Sequence, residues 1–572
     1  MVFEKHSLFY DILRLIIEKY FFFFRMISSS YNKKFTIENK SYFIVMNHDE
    51  VIKKTLADTT VLLSKSYKDK TAIIAQDISL TYLEFDQHTN QIANGLLKEG
   101  IKPEARIVFL GKDTHINYEV LYGCAKAKAV LVPINWRLSP QEILTIIEDA
   151  EAEILFVDQA FYAIISQIEQ QLIGLTKIIG YNKPHSSWSD YTQWRSVQEK
   201  TPPNLLYDTE DVVLQMYTSG TTGKPKGVQL SNDSFFRLLD TMQSKHNDLW
   251  MDINGTDILL HCVPFFHIGG LWWGVQSLIA GATLIMQETF IAWQALEYIE
   301  KYKITKMAMV PAMLQFMLSE PNSDIADLSS LKGFLYGGSP INPPLMRRAI
   351  GILNCDFYQI YGMTETGNMA VCLRPEDHID ISKDCIKAAG KPLPGVVIKV
   401  VTPDFIDVPL GTIGEICIQS PSNMVGYWKR EEATKNTLID GWIRTGDAGY
   451  IDADGYVYIC DRIKDMIICS GENIYPAEIE AVLSEHSAIE EIAVIGIPDE
   501  RWGETAKAFI VLNAGYSLKK RELINYARGK IADYKIPQSI EIVEALPRNS
   551  SGKIMKRVLR EPYWEKKERL VN

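Results

Sequence analysis

From residue 71 onwards, short apolar runs alternate with segments whose apolar residues recur at helical spacing. The apolar runs that predict buried strands include Thr71–Ala75, Arg106–Leu110, Val130–Ile134 and 153–157. Helices are predicted between them, because Thr81 and Ser139 each precede a glutamate by three residues, which is the capping-box pattern of a helix start. Strands that alternate with helices favour parallel pairing and an α/β sheet covered on both faces.

Later stretches extend this pattern towards the C-terminus. The apolar residues of 307–317 recur at helical spacing, which predicts a core helix. Near the C-terminus, the segments 492–497, 508–512 and 518–528 follow one another in an alternating pattern. This last group is typical of a small α+β unit that follows the larger α/β region.

The first 45 residues differ from the rest of the chain. Residues 9–27 are rich in Leu, Ile and Phe, but five charged residues interrupt them, so they lack the ~20 uninterrupted apolar residues of a spanning helix. One interpretation is an amphipathic helix that makes peripheral contact with a membrane surface. The other, which we favour, is an extension upstream of the folded protein, with translation starting at Met46.

Composition narrows the class of protein. A chain of 572 residues is too long for one ordinary core, so two or more domains are expected. The net charge of −11 argues against non-specific nucleic-acid binding. The 8 cysteines form no CxxC pair, which disfavours a zinc site or a disulfide framework and favours a reducing, cytoplasmic location.

One stretch carries most of the candidate chemistry, the sequence YTSGTTGKPKG at residues 217–227. Glycines let a backbone approach a ligand closely, and the N–H groups, hydroxyls and lysines of such a loop can surround an anion. It is not a Walker A loop, because only two residues separate Gly220 from Gly223 and Pro225 follows the lysine. A polyphosphate-binding loop is therefore one hypothesis, and a flexible surface loop is the other.

This string resembles, almost letter for letter, the signature loop of the AMP-forming acyl-CoA synthetase superfamily, which also contains luciferases and nonribosomal peptide adenylation domains. The resemblance covers about residues 54–560 and is strongest to bacterial fatty-acid–CoA ligases. It implies an α/β fold: a large N-terminal domain of doubly wound mixed sheets with a β-subdomain, and a small mobile α+β C-terminal domain joined by a hinge. The expected divisions are an N-terminal extension (1–45), the large AMP-binding domain (46–460), the hinge (461–465), the small domain (466–560) and a tail (561–572).

Four further motifs support the resemblance: YGGSP at 336–340, YQIYGMTET at 358–366, GWIRTGD at 441–447 and PRNSSGKI at 547–554. By resemblance, the residues that bind ATP are Thr218, Ser219, Gly220, Thr221, Thr222, Gly223, Lys226, Gly338, Tyr361, Gly362, Thr364, Glu365, Asp447, Arg462 and Lys553. Among them, Asp447 is the implied ribose ligand, and Glu365 with the Thr218 hydroxyl is the implied magnesium contact. Glu365, Thr218 and Lys553 are the implied catalytic residues.

Other parts of the site are implied in the same way. PFFHIGG at 264–270 resembles the stretch that lines the carboxylate pocket, which assigns Phe266 and His267 to an acyl pocket. Trp272 could border that pocket or be an ordinary core aromatic. In DRIKD at 461–465, Lys464 occupies the position that rotates, and the Gly471–Glu472 loop borders the CoA channel.

The resemblance implies ATP-dependent activation of a small carboxylic acid through acyl-AMP to acyl-CoA, with ATP, Mg²⁺ and CoA as the required groups. Trp272, Trp273 and the many methionines favour a medium- or long-chain fatty acid. The alternatives are a cinnamate-like aryl acid, transfer to a carrier protein instead of CoA, or luciferase-like oxygenation. A membrane-attached nucleotide-binding protein without turnover is the non-enzymatic alternative, which the apolar N-terminal stretch motivates.

Overall fold

The computed structural model describes residues 54–218, 225–246, 251–339, 341–380, 384–469, 472–499, 501–528, 530–548 and 553–564. The N-terminal extension, with its 9–27 segment, and most of the tail lie outside the described residues.

The strands belong to four sheets. In chain order they are β1 (Thr71–Ala75), β2 (Ile78–Thr81), β3 (Arg106–Leu110), β4 (Val130–Ile134), β5 (Ala152–Asp158), β6 (Lys177–Tyr181), β7 (Ser189–Asp190), β8 (Val212–Thr218), β9 (Lys226–Ser231), β10 (Ile258–His261), β11 (Thr283–Met286), β12 (Lys306–Met309), β13 (Gly333–Gly337), β14 (Asp356–Tyr361), β15 (Val371–Leu373), β16 (Lys391–Pro392), β17 (Val397–Val401), β18 (Gly414–Gln419), β19 (Gly426–Tyr427), β20 (Leu438–Ile439), β21 (Trp442–Ile451), β22 (Val457–Arg462), β23 (Ile467–Cys469), β24 (Glu472–Ile474), β25 (Ile489–Asp499), β26 (Gly503–Leu512) and β27 (Ser539–Ile542).

The α-helices cover the sheets and connect their strands. They are α1 (Leu56–Ser66), α2 (Tyr82–Lys98), α3 (His115–Lys126), α4 (Pro140–Ala150), α5 (Tyr162–Ile168), α6 (Tyr191–Ser196), α7 (Asp233–His246), α8 (Ile268–Ile279), α9 (Ala292–Tyr302), α10 (Pro311–Ser319), α11 (Pro343–Leu353), α12 (Pro375–His378), α13 (Glu431–Thr437), α14 (Pro476–Leu483), α15 (Lys520–Ala527) and α16 (Lys556–Trp564). Within the described residues, no helix is long and apolar enough to cross a bilayer.

Two large mixed sheets form the main body. The first sheet has nine strands in the order β16-β15-β14-β13-β12-β10-β11-β1-β2, and its neighbours from β14 through β1 are parallel. The second sheet has eight strands in the order β19-β9-β8-β4-β3-β5-β6-β7, of which β9 and β19 run antiparallel to their neighbours. Every residue of β3 and β4 is buried, as expected for central parallel strands covered on both faces.

Two smaller sheets follow along the chain. The third has five strands, with the order β17-β18-β21-β20 and β22 paired to β21. The fourth has the order β24-β23-β26-β25, with β27 paired to β26, and packs against α14 and α15 through its own apolar core. The predicted fold class is confirmed, with mixed α/β sheets followed by a small α+β unit.

Local sequence explains most element boundaries. Thr81 and Ser139 both form the predicted capping boxes, in which each side chain accepts a hydrogen bond from the backbone of the glutamate three residues later. One prediction was wrong, the single helix over 307–317. Lys306–Met309 is strand β12, and the helix begins only at Pro311. Proline lacks an N–H donor and fits the first helical position, so it separates the strand from the helix.

A buried carboxylate, Glu119, joins three helices. Glu119 of α3 is fully buried, its carboxylate lies 2.5 Å from Nδ1 of His88 on α2, and it accepts a hydrogen bond from Tyr191 of α6. Arg195 lies 4.0 Å away. Burial alone would raise the pKa of Glu119, but the His88 hydrogen bond and the charges of the surrounding histidines and arginine outweigh it and lower the pKa to about 2.

We expect Glu119→Gln to destabilise the protein by about 3 kcal/mol, because the amide leaves buried donors without a charged acceptor. The folded-state pKa lies below the usual 4.5. The Glu119 carboxylate therefore contributes fully to the free energy of unfolding above pH 4.5, and this contribution is lost as the pH falls towards about 2. Urea midpoints at about pH 7 and about pH 3.5 should show the difference between wild type and variant shrinking at the lower pH. The exposed Glu210→Gln is the control, and an equal effect of both variants at neutral pH would contradict the prediction.

Candidate active site

The signature loop is positioned by a hairpin of the second sheet. Thr218 ends β8 and pairs across the hairpin with Lys226, which begins β9. The predicted nucleotide ligands Ser219, Gly220, Thr221, Thr222 and Gly223 lie outside the described residues. The two ends of the loop are therefore adjacent, at the carboxyl end of β8, where ligands of α/β sheets commonly bind.

Glu365 lies where the first and second sheets meet. It sits in a 3₁₀ turn, Thr364–Thr366, that follows β14, and it is only 6% exposed. Its carboxylate accepts a hydrogen bond of 2.8 Å from the hydroxyl of Tyr427, and its backbone carbonyl accepts one of 2.8 Å from the N–H of Met424. Burial raises the pKa of Glu365, while the Tyr427 hydrogen bond and the charges of Arg462 and Lys226 act in the opposite direction.

Asp447 of the third sheet is the second buried carboxylate of the site. It is 4% exposed and accepts a hydrogen bond of 2.7 Å from the hydroxyl of Tyr361, the last residue of β14. Nε of Arg462, on the paired strand β22, lies 2.7 Å from its other oxygen. Burial raises the pKa of Asp447, whereas Arg462, Tyr361 and Lys553 favour its charged form.

Lys553, from the C-terminal segment, contributes its charge to this cluster. Its pKa is lowered, chiefly because surrounding protein atoms desolvate the ammonium group and also because Arg462 repels it, while Asp447 and Asp465 oppose the shift. The rest of the predicted catalytic turn, residues 549–552, lies outside the described residues. Lys553 is an exposed residue whose charge acts on Asp447, the carboxylate that the resemblance assigns to the ribose, and its catalytic role stays a prediction.

Two glycines of the motifs predicted to contact adenine are explained by the backbone alone. A Cβ at Gly362 would lie 2.0 Å from the carbonyl oxygen of Asn368. Gly338 has φ of +78°, a conformation that favours glycine. Both are thus required by the fold even before a ligand is considered, and their approach to adenine stays a prediction, as does the hydroxyl role of Thr364.

The predicted acyl pocket is aromatic. Phe266 is 5% exposed, and its ring packs edge-on against Trp136 at 6.2 Å and lies 4.6 Å from the ring of His267, which precedes α8. Burial lowers the pKa of His267 to about 4, so its imidazole is neutral at physiological pH. Trp272 is 2% exposed within the main core, which is the packing of an ordinary core aromatic. Its role in the acyl pocket stays a prediction.

Contacts also cross the predicted hinge. Lys464 lies in a 3₁₀ turn, Ile463–Asp465, between β22 and β23, and its carbonyl accepts a hydrogen bond of 3.1 Å from Arg560 of α16. Before the hinge, the Asp461 carboxylate accepts the N–H of Ala477 at 3.0 Å. Lys556 lies 3.6 Å from Asp461 and 2.9 Å from Glu480. Charged contacts therefore join the segments on both sides of Lys464.

Only one of the two residues predicted to border the CoA channel lies within the described residues. Glu472 begins β24 and is exposed, whereas Gly471 lies outside the described residues. Tyr427, which donates a hydrogen bond to Glu365, was missed by the sequence analysis. Its strand, β19, has only two residues, too few to show any periodicity.

The donors at this site fit a magnesium ion without forming a complete protein cage. Among the described residues, no group of three or more His, Cys, Asp or Glu side chains could hold a metal. Mg²⁺ usually takes one or two carboxylates and completes its coordination with water and phosphate oxygens. Glu365 is a buried carboxylate whose 3₁₀ turn contacts β9, the strand that pairs with β8, and it suits such a site.

Comparison with known proteins identifies the family of this chain. The family model described as AMP-binding enzyme matches residues 63–428, and the model of the AMP-binding enzyme C-terminal domain matches residues 478–553. The chain belongs to the AMP-binding enzyme family. As an AMP-binding enzyme it is an AMP-forming acid–thiol ligase, which confirms the class of enzyme that the motifs predicted.

Named relatives show how far the similarity extends. The chain is 42% identical to a fatty acid–[acyl-carrier-protein] ligase of Streptomyces coeruleorubidus, over 91% of this chain and 98% of the relative. It is 33% identical to a long-chain-fatty-acid–CoA ligase of Mycobacterium tuberculosis, over 85% and 94% of the two chains. The crystal structure of the anthranilate–CoA ligase AuaEII with anthranoyl-AMP superposes with a TM-score of 0.82 at 27% identity, covering 90% and 98% of the two chains.

We expect Asp447→Asn to weaken ATP binding to this AMP-binding enzyme about tenfold, because a neutral amide is a poorer acceptor for ribose hydroxyls and leaves Arg462 without its charged partner. Isothermal titration calorimetry with ATP measures this effect directly. The matched control is Asp407→Asn, which removes an exposed carboxylate of the same third sheet region. An unchanged ATP dissociation constant for Asp447→Asn would contradict the ribose assignment.

Proposed function

We propose that this enzyme activates a fatty acid as its acyl-AMP and transfers the acyl group to the thiol of a phosphopantetheine arm. The observation that carries the proposal is the assembly of Glu365, Asp447, Arg462 and Lys553, which come from different parts of the chain, into one charged cluster. A fold that had lost its catalytic function would not need to keep two buried carboxylates, Glu365 and Asp447, close to these cations.

In the first half-reaction, a carboxylate oxygen of the fatty acid forms a bond to the α-phosphorus of ATP, and the bond to pyrophosphate breaks. Both reactants are anions, so the site must offset their repulsion while it holds them in line. Lys226 and Lys553 supply positive charge, and Asp447 holds the ribose. No general base is required, because the carboxylic acid is already ionised at neutral pH.

Glu365 and the Thr218 hydroxyl are the residues that would hold Mg²⁺. When bound, the ion neutralises part of the charge on the triphosphate. The signature loop, residues 219–223, would surround the same phosphates through its N–H and hydroxyl groups.

In the second half-reaction, a thiol attacks the acyl carbon and AMP leaves with the oxygen that came from the fatty acid. Lys553 has no role in this step, and rotation about Lys464 would withdraw it and bring the loop of Gly471 and Glu472 to the acyl-AMP. The cluster around Asp461 and Lys556 would then rearrange, because these contacts join the segments on both sides of the rotating residue.

The acceptor thiol belongs to a carrier protein in our preferred form of the proposal. Its support is the 42% identity to a carrier-protein ligase, against 33% to a long-chain-fatty-acid–CoA ligase. CoA is the second candidate, supported by the other relatives that form CoA thioesters. The aromatic residues around Phe266 suit an apolar acid, and a fatty acid takes precedence over an aryl acid because both of these relatives act on fatty acids.

The proposal is tested by incubating the protein with ATP, Mg²⁺ and a panel of fatty and aryl acids, with CoA, with a holo carrier protein or with neither. Pyrophosphate, AMP and thioester are quantified. We expect fatty acids to release pyrophosphate and to yield thioester on the carrier protein more efficiently than on CoA. Efficient acyl-CoA formation with no carrier thioester would select the second candidate. ATP binding without turnover on any acid would contradict the enzymatic proposal.

We expect Lys553→Ala to slow adenylation by about 100-fold or more, equivalent to roughly 3 kcal/mol, since it removes positive charge from the reacting phosphate. Thioester formation from supplied acyl-AMP should stay close to the wild-type rate. The control is Lys520→Ala, which removes an exposed lysine of α15. Equal losses in both half-reactions would contradict a role limited to the first step.

A further inference from the structure

We propose that Tyr427 is a positioning residue that orients Glu365 for the metal-bound triphosphate. The proposal rests on the assignment of Glu365 as the magnesium contact, but not on the identity of the acid or the acceptor. Tyr427 is 8% exposed and lies outside every motif that pointed to the site.

Tyr427 and Met424 hold both the side chain and the backbone of Glu365. Its hydroxyl donates to Oε1 of Glu365 at 2.8 Å, and the N–H of Met424, three residues earlier, donates to the Glu365 carbonyl at 2.8 Å. A carboxylate on a short 3₁₀ turn has several rotamers available to it. Fixing its backbone and one of its oxygens restricts those rotamers and leaves the other oxygen's direction defined.

The position of Tyr427 is itself fixed by the sheet that carries the signature loop. β19 pairs with β9, where Tyr427 is opposite Val228, and the Tyr427 N–H donates to the Thr434 hydroxyl at 2.9 Å. Glu365 is therefore positioned relative to the loop hairpin, although it follows a strand of the other large sheet.

The ring of Tyr427 makes a second contact with the site. The Lys226 ammonium lies 4.9 Å from the ring centroid, within the range of a cation–π interaction. One side chain thus contacts both the carboxylate proposed for the metal and the lysine proposed for the phosphates. A phenylalanine would keep the ring contact and lose only the hydroxyl, which separates the two functions.

The chain provides a matched control with the same chemistry elsewhere. The Tyr456 hydroxyl donates to Oδ1 of Asp377 at 2.6 Å, and the Lys391 ammonium lies 4.2 Å from the Tyr456 ring centroid. Tyr456→Phe therefore breaks an equivalent hydrogen bond, to a carboxylate that has no place in the proposed site.

The experiment measures ATP binding by calorimetry, with Mg²⁺ and with EDTA, for wild type, Tyr427→Phe and Tyr456→Phe. The readout is the factor by which Mg²⁺ tightens ATP binding. Groups that orient a metal ligand typically change metal affinity by about tenfold or more when removed. We expect Tyr427→Phe to reduce the magnesium factor about tenfold with little change in metal-free ATP binding, and Tyr456→Phe to leave both unchanged.

A second comparison tests whether Tyr427 acts through Glu365. In a Glu365→Gln background, Tyr427→Phe should cause no further reduction of the magnesium factor. The proposal is overturned by a wild-type magnesium factor in Tyr427→Phe, by equal weakening of ATP binding with and without Mg²⁺, or by a full further loss in the Glu365→Gln background. A Tyr427→Phe protein that fails to fold also overturns it, because the hydroxyl would then serve the fold. Loss of all ATP binding in wild type would instead contradict the nucleotide site itself.

Discussion

Two buried carboxylates, Glu365 and Asp447, are the constraint on which the arrangement of this protein depends. A buried charge is costly unless it is paired and hydrogen-bonded. Here the partners come from separate sheets. Tyr427, on the second sheet, donates a hydrogen bond to Glu365, which follows a strand of the first sheet. Tyr361, on the first sheet, donates one to Asp447 of the third sheet. The three sheets must therefore pack in one relative arrangement for both carboxylates to have their hydrogen-bond partners. The same arrangement of sheets brings together the side chains that we propose for the nucleotide site.

The C-terminal unit joins this cluster through charge as well as through the chain. Lys553 interacts with Asp447 and Arg462, and Lys556 contacts Asp461 and Glu480. If Lys553 leaves the cluster, Asp447 stays paired with Arg462, so this buried carboxylate keeps a cation beside it. The proposed rotation of the C-terminal unit about Lys464 is feasible only if few buried charges are left unpaired before and after it. The pairing of Asp447 within the third sheet meets this condition.

The sequence analysis succeeded where a local signal sufficed. The two capping boxes and the apolar runs predicted helices and strands that the structure contains. A capping box joins residues three positions apart, and an unbroken apolar run indicates a buried segment whatever its partners are. It failed at 307–317, since an apolar run has the same composition in a buried strand and in a helix, and only Pro311 marks the boundary. It also missed Tyr427, whose partner Glu365 lies 62 residues earlier. The packing of Trp272 could not be predicted from a local pattern either, because its helix α8 is apolar except for Gln276 and Ser277.

The most direct test of the account is the fate of the carboxylate oxygens of the fatty acid. A fatty acid labelled with ¹⁸O in both oxygens is converted to thioester by the wild-type protein with ATP and the acceptor thiol, and the products are examined by mass spectrometry. Attack of the carboxylate on the α-phosphorus predicts one labelled oxygen in AMP and one in the thioester. Unlabelled AMP, with the label in pyrophosphate or free phosphate, would contradict adenylation at this site.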